Sequence, residues 1–226
     1  MQVGLIGKGY WGKILEQKLE RVSRLQFVCD SKDDYKSKLN IVDWIFVATP
    51  NGVHYEQVKH FVEQGMNVFC EKPLTPTYKQ SKELFDLAEK HNVKLYVDDV
   101  FNYRDETAVL NNIINTEDKI NVTWNSKNKK SNYDLLYHDL YLLYTVLKDK
   151  QEINWPTINN VTFNYDSYDY KHIINDIDFT NTENSNDALM EMIISVLHDT
   201  VDYEYNKDIA LFCNKVIDDI SNNTNI

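Results

Sequence analysis

Six residues near the amino terminus, Gly7-Lys8-Gly9-Tyr10-Trp11-Gly12, carry the first chemical signal in the chain. In a Gly-x-Gly-x-x-Gly turn the first glycine allows a tight bend, the second lets backbone approach a pyrophosphate, and the third lets a helix pack close to the preceding strand. The unpaired amides at the start of that helix face the anion. Asp30 stands eighteen positions past Gly12. A carboxylate there can accept hydrogen bonds from both hydroxyls of an adenosine ribose, and it repels a 2′-phosphate. This favours NAD, while Ser31 and Lys32 could offset a phosphate and leave NADP open. The alternative role for Asp30 is to cap the next turn. Two further apolar runs end in Thr49-Pro50-Asn51-Gly52-Val53-His54 and in Glu71-Lys72-Pro73. A lysine on such a loop can reach both a bound cofactor and a substrate.

Periodicity supplies the elements that position these groups. It predicts strands over 1–6, 25–29, 44–48, 67–70 and 94–97, alternating with helices over 11–22, 54–63 and 78–91. That alternation means an α/β fold, a parallel sheet with helices on both faces. Every glycine lies at or before Gly65, and the second half is built differently. It reads as a helix over 106–115, a strand over 120–124, a lysine-bearing loop and a helix over 133–147. Two or three strands between 161 and 179 follow, then helices over 186–197 and 206–221. The expected domains are 1–100, a nucleotide-binding sheet, and 101–226, a small α+β domain that includes the closing helices.

The chain has 226 residues and a formal net charge of -11. The charge disfavours non-specific binding to nucleic acid or anionic membrane, because phosphates would be repelled over most of the surface. Cys29, Cys70 and Cys213 are odd in number and stand in apolar surroundings. They read as buried small hydrophobes in a reducing compartment. No apolar run approaches the length of a spanning helix, so a cytoplasmic protein is expected.

On the helix over 133–147, Asp134 and His138 stand at i and i+4 and project from one face. By itself this pattern also describes an exposed, self-paired couple. No third ligand of matching spacing makes it a metal site. The tyrosines at 133, 137, 141 and 144 follow helical spacing, which is more often packing than substrate stacking.

Three ordered segments, 4–12, 42–50 with His54, and 68–74, resemble the signature of the glucose-fructose oxidoreductase and inositol dehydrogenase (Gfo/Idh/MocA) family. The resemblance extends through Phe101-Asn102-Tyr103-Arg104 and the two closing helices. It implies a Rossmann-type domain followed by a substrate domain, and hydride transfer between NAD(P) and a secondary alcohol of a sugar, inositol or sugar nucleotide. It implies that Gly7, Gly9, Tyr10, Trp11, Gly12, Asp30, Thr49, Pro50, Asn51, His54, Glu71 and Lys72 hold the cofactor. Lys72 and His138 then flank the substrate hydroxyl, with Asp134 nearby. A histidine titrating near neutrality suits the general base, and Lys72 suits a developing alkoxide. His54 is expected to pack at a loop beside the cofactor.

The chain also departs from this family, being markedly shorter than its members. Only eleven residues separate Asp30 from Val42, room for one short helix. In the strand order 3-2-1-4-5-6 the deleted strand is at the sheet edge, so the nucleotide crevice survives. The second domain's sheet is trimmed, and the subunit interface it usually forms in a homo-oligomer is expected to be reduced. Tyr137 stands beside His138 and lines the expected substrate pocket, together with Arg104, Lys127 and Lys130. In an acidic protein these cations could hold a diphosphate or carboxylate, although a solvated loop is the plainer reading. Three functions follow: a sugar-type dehydrogenase, a non-catalytic NAD(P)-binding regulator, or an epimerase or eliminase with tightly held cofactor.

Overall fold

Five short apolar runs build the first sheet of this computed structural model: β1 (Gln2–Ile6), β2 (Arg24–Cys29), β3 (Trp44–Val47), β4 (Asn67–Cys70) and β5 (Leu95–Val97). Their order is β2-β1-β3-β4-β5, and every pairing is parallel. The structure describes residues 1–30, 33, 36–113, 120–125, 132–147, 161–166, 171–174, 176–179 and 187–223. Ser31, Lys32, Lys127 and Lys130 lie outside them.

A parallel sheet is buried on both faces, which is why β3 is apolar and buried at all four positions. Ile45, Val47, Val68, Cys70, Leu95 and Val97 join one cluster with Val58, Phe61, Leu84 and Ala88. These last four come from α2 (His54–Glu63) and α3 (Tyr78–His91). The alternate residues Phe46, Phe69 and Tyr96 stack in register, with ring centroids 4.6 and 6.0 Å apart. The remaining crossover helix, α1 (Tyr10–Val22), buries Leu15 and Leu19. Thr77 caps α3 by accepting the Gln80 N–H, and Asn92, at φ 53°, ends the helix in the left-handed conformation.

Among the described residues no strand pairs beyond β2, so the sheet is trimmed at the expected edge. The crossover from β2 to β3 carries a single 3-10 turn, Lys36–Ile41. A connection this short leaves no room for a further strand and helix.

The chain divides into two units, Met1–Asp98 with Met190–Ile226, and Asp99–Leu189. This corrects the expected 101–226 domain, because the closing helices pack with the first sheet. They are α6 (Ala188–Leu197) and α7 (Tyr203–Asn223). Asn206 of α7 accepts the Val97 N–H and donates to the Val97 carbonyl, both at 2.8 Å, and so completes the edge of β5. Asn214 donates to the Thr75 carbonyl at 2.8 Å and accepts from Ser81 at 3.2 Å. Asp218 accepts the Tyr78 N–H at the start of α3 at 2.6 Å. The helix therefore follows β5 as the last crossover layer of the parallel sheet.

Among the described residues the second unit holds α4 (Asp105–Ile113), α5 (Asn132–Leu147) and four strands: β6 (Ile120–Asn125), β7 (Val161–Asp166), β8 (Lys171–Ile174) and β9 (Ile177–Asp178). The sheet order is β7-β6-β8-β9, with only β6 and β7 parallel. This is the expected small α+β arrangement.

Candidate functional site

The loops that carry the predicted chemistry leave the carboxyl ends of β1, β3, β4 and β5. β1 lies between β2 and β3, so the chain reverses its direction of winding there, and ligands of open parallel sheets bind at such a switch point. Gly7 has φ +112°, and a Cβ on it would lie 2.4 Å from the Ala48 carbonyl oxygen, so the turn after β1 packs directly on the loop after β3. A Cβ on Gly12 would lie 2.1 Å from the Gly7 carbonyl oxygen, which is the close helix–strand approach predicted from spacing. Gly9 is different, because a Cβ on it would meet nothing within 4 Å. The space it leaves open faces the first turn of α1, whose N-cap has no side-chain hydrogen bond. Such a cradle fits a pyrophosphate. The exposed rings of Tyr10 and Trp11 stand beside it, edge to face at 5.4 Å.

Asp30 is exposed immediately after β2. Asp33, which sequence reasoning did not single out, accepts the Asp30 N–H at 2.8 Å and the Lys8 ammonium at 3.1 Å. The Asp33 N–H returns to the Asp30 carbonyl at 3.0 Å. Asp30 is thus held in a closed turn at the position expected for a ribose-binding carboxylate.

The loop after β3 is braced from within. Thr49 is buried, and its hydroxyl donates to Gln57 at 2.6 Å. Pro50 and Asn51, by contrast, are exposed. His54 is buried between two loops, with Nε2 2.7 Å from the Thr49 carbonyl and Nδ1 3.0 Å from the Pro73 carbonyl. Burial holds its pKa below the ordinary 6.5, against the pull of those carbonyls. The neutral ring has one N–H to donate to either carbonyl, and His54 packs between the loop after β3 and the Glu71-Lys72-Pro73 loop.

Glu71 follows β4 directly, its N–H bound to the Val47 carbonyl, and Lys72 stands next, half-buried, before a cis peptide bond to Pro73. Asp98 follows β5 in the same way, its N–H bound to the Cys70 carbonyl. Both carboxyls are buried. Burial first, and then the Asp98 carboxylate, push Glu71 well above the ordinary glutamate range, while Lys72 pulls it down. The pair therefore retains a proton that separate surface carboxylates would lose. Glu71 Oε1 has no hydrogen-bond partner, so an acceptor stands ready at the sheet edge. Asp98 was missed because a single aspartate at a strand end carries no local pattern.

In the second unit, His138 on α5 is half-buried, its ring 4.6 Å from that of Phe101. The segment holding Phe101 is fixed by Asn102, which donates to Asp99 at 2.8 Å and accepts from Thr145 of α5 at 2.5 Å. Asp134 lies on the same helix, and its side chain is outside the described residues. Two expectations change here. Tyr137, expected to line a substrate pocket, is buried against Tyr141 with ring centroids 5.1 Å apart, because the helix turns that stripe into its core. Arg104, expected to hold substrate, lies 4.4 Å over the Phe101 ring and 3.3 Å from the buried Glu106 carboxylate, so its charge already has a buried counter-ion. Lys127 and Lys130 fall outside the described residues.

Among the described residues no group of three or more His, Cys, Asp or Glu is placed to hold a metal ion. None of their helices is long and apolar enough to cross a membrane. Cys29, Cys70 and Cys213 are free and buried.

Residues 12–99 match the model of an oxidoreductase family with an NAD-binding Rossmann fold, GFO_IDH_MocA. An oxidoreductase of Streptococcus pneumoniae is 25% identical over 174 residues, 61% of this chain and 47% of its own length. Levoglucosan dehydrogenase of Pseudarthrobacter phenanthrenivorans is 35% identical over 85 residues, 35% of this chain and 20% of its own. The chain thus spans about half the length, or less, of the curated relatives it matches. Among solved structures, the WlbA dehydrogenase of Thermus thermophilus, in complex with NAD and UDP-GlcNAcA, superimposes with a TM-score of 0.73 at 14% identity. That alignment covers 96% of this chain and 93% of the other. At that identity the likeness establishes the fold.

Proposed function

We propose that this chain, whose residues 12–99 match the Gfo/Idh/MocA oxidoreductase model, is an NAD-dependent dehydrogenase acting on a secondary alcohol of a sugar or sugar nucleotide. The observation that carries the reading is the open cradle at Gly9, framed by two glycines that tolerate no side chain and followed by Asp30. Gly7, Gly9 and Gly12 would hold the pyrophosphate, Asp30 the adenosine ribose, and the loops beginning at Thr49 and Glu71 the nicotinamide half. A bound NAD would supply the hydride acceptor for the carbinol carbon.

The remaining chemistry belongs to side chains. A hydroxyl that gives up hydride must also give up its proton, and His138 takes it as general base. Lys72 stabilises the negative charge that develops on the substrate oxygen, and Asp134 orients His138 or binds a neighbouring hydroxyl. Glu71, with its unpartnered Oε1, accepts a hydrogen bond from a cofactor or substrate hydroxyl. With Arg104 paired to Glu106, the cations left for a diphosphate or carboxylate in this proposal are Lys127 and Lys130 in the segment before α5.

The test is a screen of sugar nucleotides, free sugars and inositols with NAD, read by nicotinamide absorbance. Reduction of NAD by one of these classes supports the proposal. NAD binding without turnover on any of them favours a non-catalytic binding protein.

A further inference from the structure

Lys8 is the residue between the first two glycines of the phosphate turn, and Asp33 lies 25 positions away in the loop after β2. Their charges meet at 3.1 Å, and the same Asp33 oxygen accepts the Asp30 N–H at 2.8 Å. One carboxylate thus closes the turn that presents Asp30 and ties that turn to the phosphate loop. Both side chains of the pair are nearly half exposed, at 46% and 45%. An exposed pair contributes little to folding. It is also cheap to open, so its cost or benefit is felt by whatever binds beside it.

Beside it is the place where a dinucleotide carries either a 2′-hydroxyl or a 2′-phosphate. We propose that the Lys8–Asp33 pair is a dinucleotide-selectivity device: Asp33 adds a second negative charge next to Asp30 and occupies the Lys8 ammonium that could otherwise neutralise a 2′-phosphate. This rests on reading Gly7 to Gly12 as a nucleotide cradle. Asp33 sets a carboxylate beside Asp30 and takes up the charge of Lys8, with Lys38 also within its field, so the locus attracts a 2′-phosphate carrying about two negative charges less than its lysines alone would, and is indifferent to a hydroxyl. Taking away the Asp33 charge while keeping its acceptor oxygen leaves the turn intact and frees Lys8.

The test measures dissociation constants of NAD and NADP by titration calorimetry at one fixed salt concentration, using the full chain, Asp33→Asn, and Asp33→Asn combined with Lys8→Gln. Asp33→Asn is expected to cut the preference for NAD over NADP at least tenfold, and adding Lys8→Gln to restore most of it. Binding of both dinucleotides with an unmoved ratio in Asp33→Asn overturns the selectivity role and leaves the cradle standing. A gain for NADP that persists in the double variant overturns the part assigned to Lys8. Failure of the unaltered chain to bind either dinucleotide overturns the cradle reading, and this inference with it.

Discussion

Glu71 and Asp98 stand one residue beyond the paired Cys70 and Val97 on neighbouring parallel strands, and both carboxyls are buried. No salt bridge joins Glu71 to a neighbour among the described residues. Burial first, and then Asp98, raise its pKa, and the adjacent Cys70 thiol is held up by burial and by both carboxyl groups. The cation that acts on Glu71 is Lys72, next to it in sequence. From α7 the neutral Asn206 meets the backbone of β5.

Stability should therefore depend on pH with a definite sign. Glu71 binds its proton more tightly folded than unfolded, so the folded state gains least where the unfolded carboxyl is ionised. Stability is highest near or below the ordinary 4.5 and falls as pH rises towards the higher folded value. Glu71→Gln removes this slope. Its melting temperature relative to the unaltered chain should rise steadily from pH 4.5 to neutrality, by about 2–4 °C for each kcal/mol released. A difference that does not vary with pH would show that Glu71 is ionised normally.

The glycine turn separates folding from binding at two positions. Gly12→Ala places a Cβ against the Gly7 carbonyl and should lower the melting temperature sharply, because backbone on both sides must move. Gly9→Ala meets nothing and should melt within a degree or two of the unaltered chain, yet bind NAD at least tenfold more weakly. Calorimetric titration and thermal melting of the two variants check this. Equal NAD affinity in Gly9→Ala would mean that the open space is not where the pyrophosphate lies.

Asn206 matches both backbone groups of Val97 at the sheet edge. Asn206→Ala leaves a buried N–H and a buried carbonyl unpaired, at about 1–3 kcal/mol each. Thermal melting should fall by about 4–24 °C, and exchange of the Val97 amide should accelerate more than that of Phe46. A loss confined to α7, with Val97 protected as before, would show that β5 does not depend on the helix.

Much of this arrangement was legible in the sequence because its signals are local. Gly7, Gly9 and Gly12 lie within one turn, and the strands are continuous apolar runs. The residues that escaped notice act across long separations. Asp33 reaches back to Lys8, Asn214 meets Thr75 and Ser81, and Asp218 caps a helix 140 positions earlier. Nothing in the local pattern of Asn206 to Asp218 shows that this face completes the first sheet, so the closing helices were assigned by sequence order to the wrong unit. Tyr137 and Arg104 were misjudged for a related reason: a tyrosine or arginine near a catalytic motif looks available until the ring or carboxylate it packs against is known.

In the proposed reaction Lys72 acts in the chemical step on a substrate that NAD oxidises. This role is tested most directly by measuring NAD affinity and turnover together in Lys72→Ala, once a substrate has been found. NAD should still bind within a few-fold of the unaltered chain while turnover falls by at least a thousandfold, roughly 4 kcal/mol of transition-state stabilisation. Turnover that survives in Lys72→Ala with NAD bound would contradict that role.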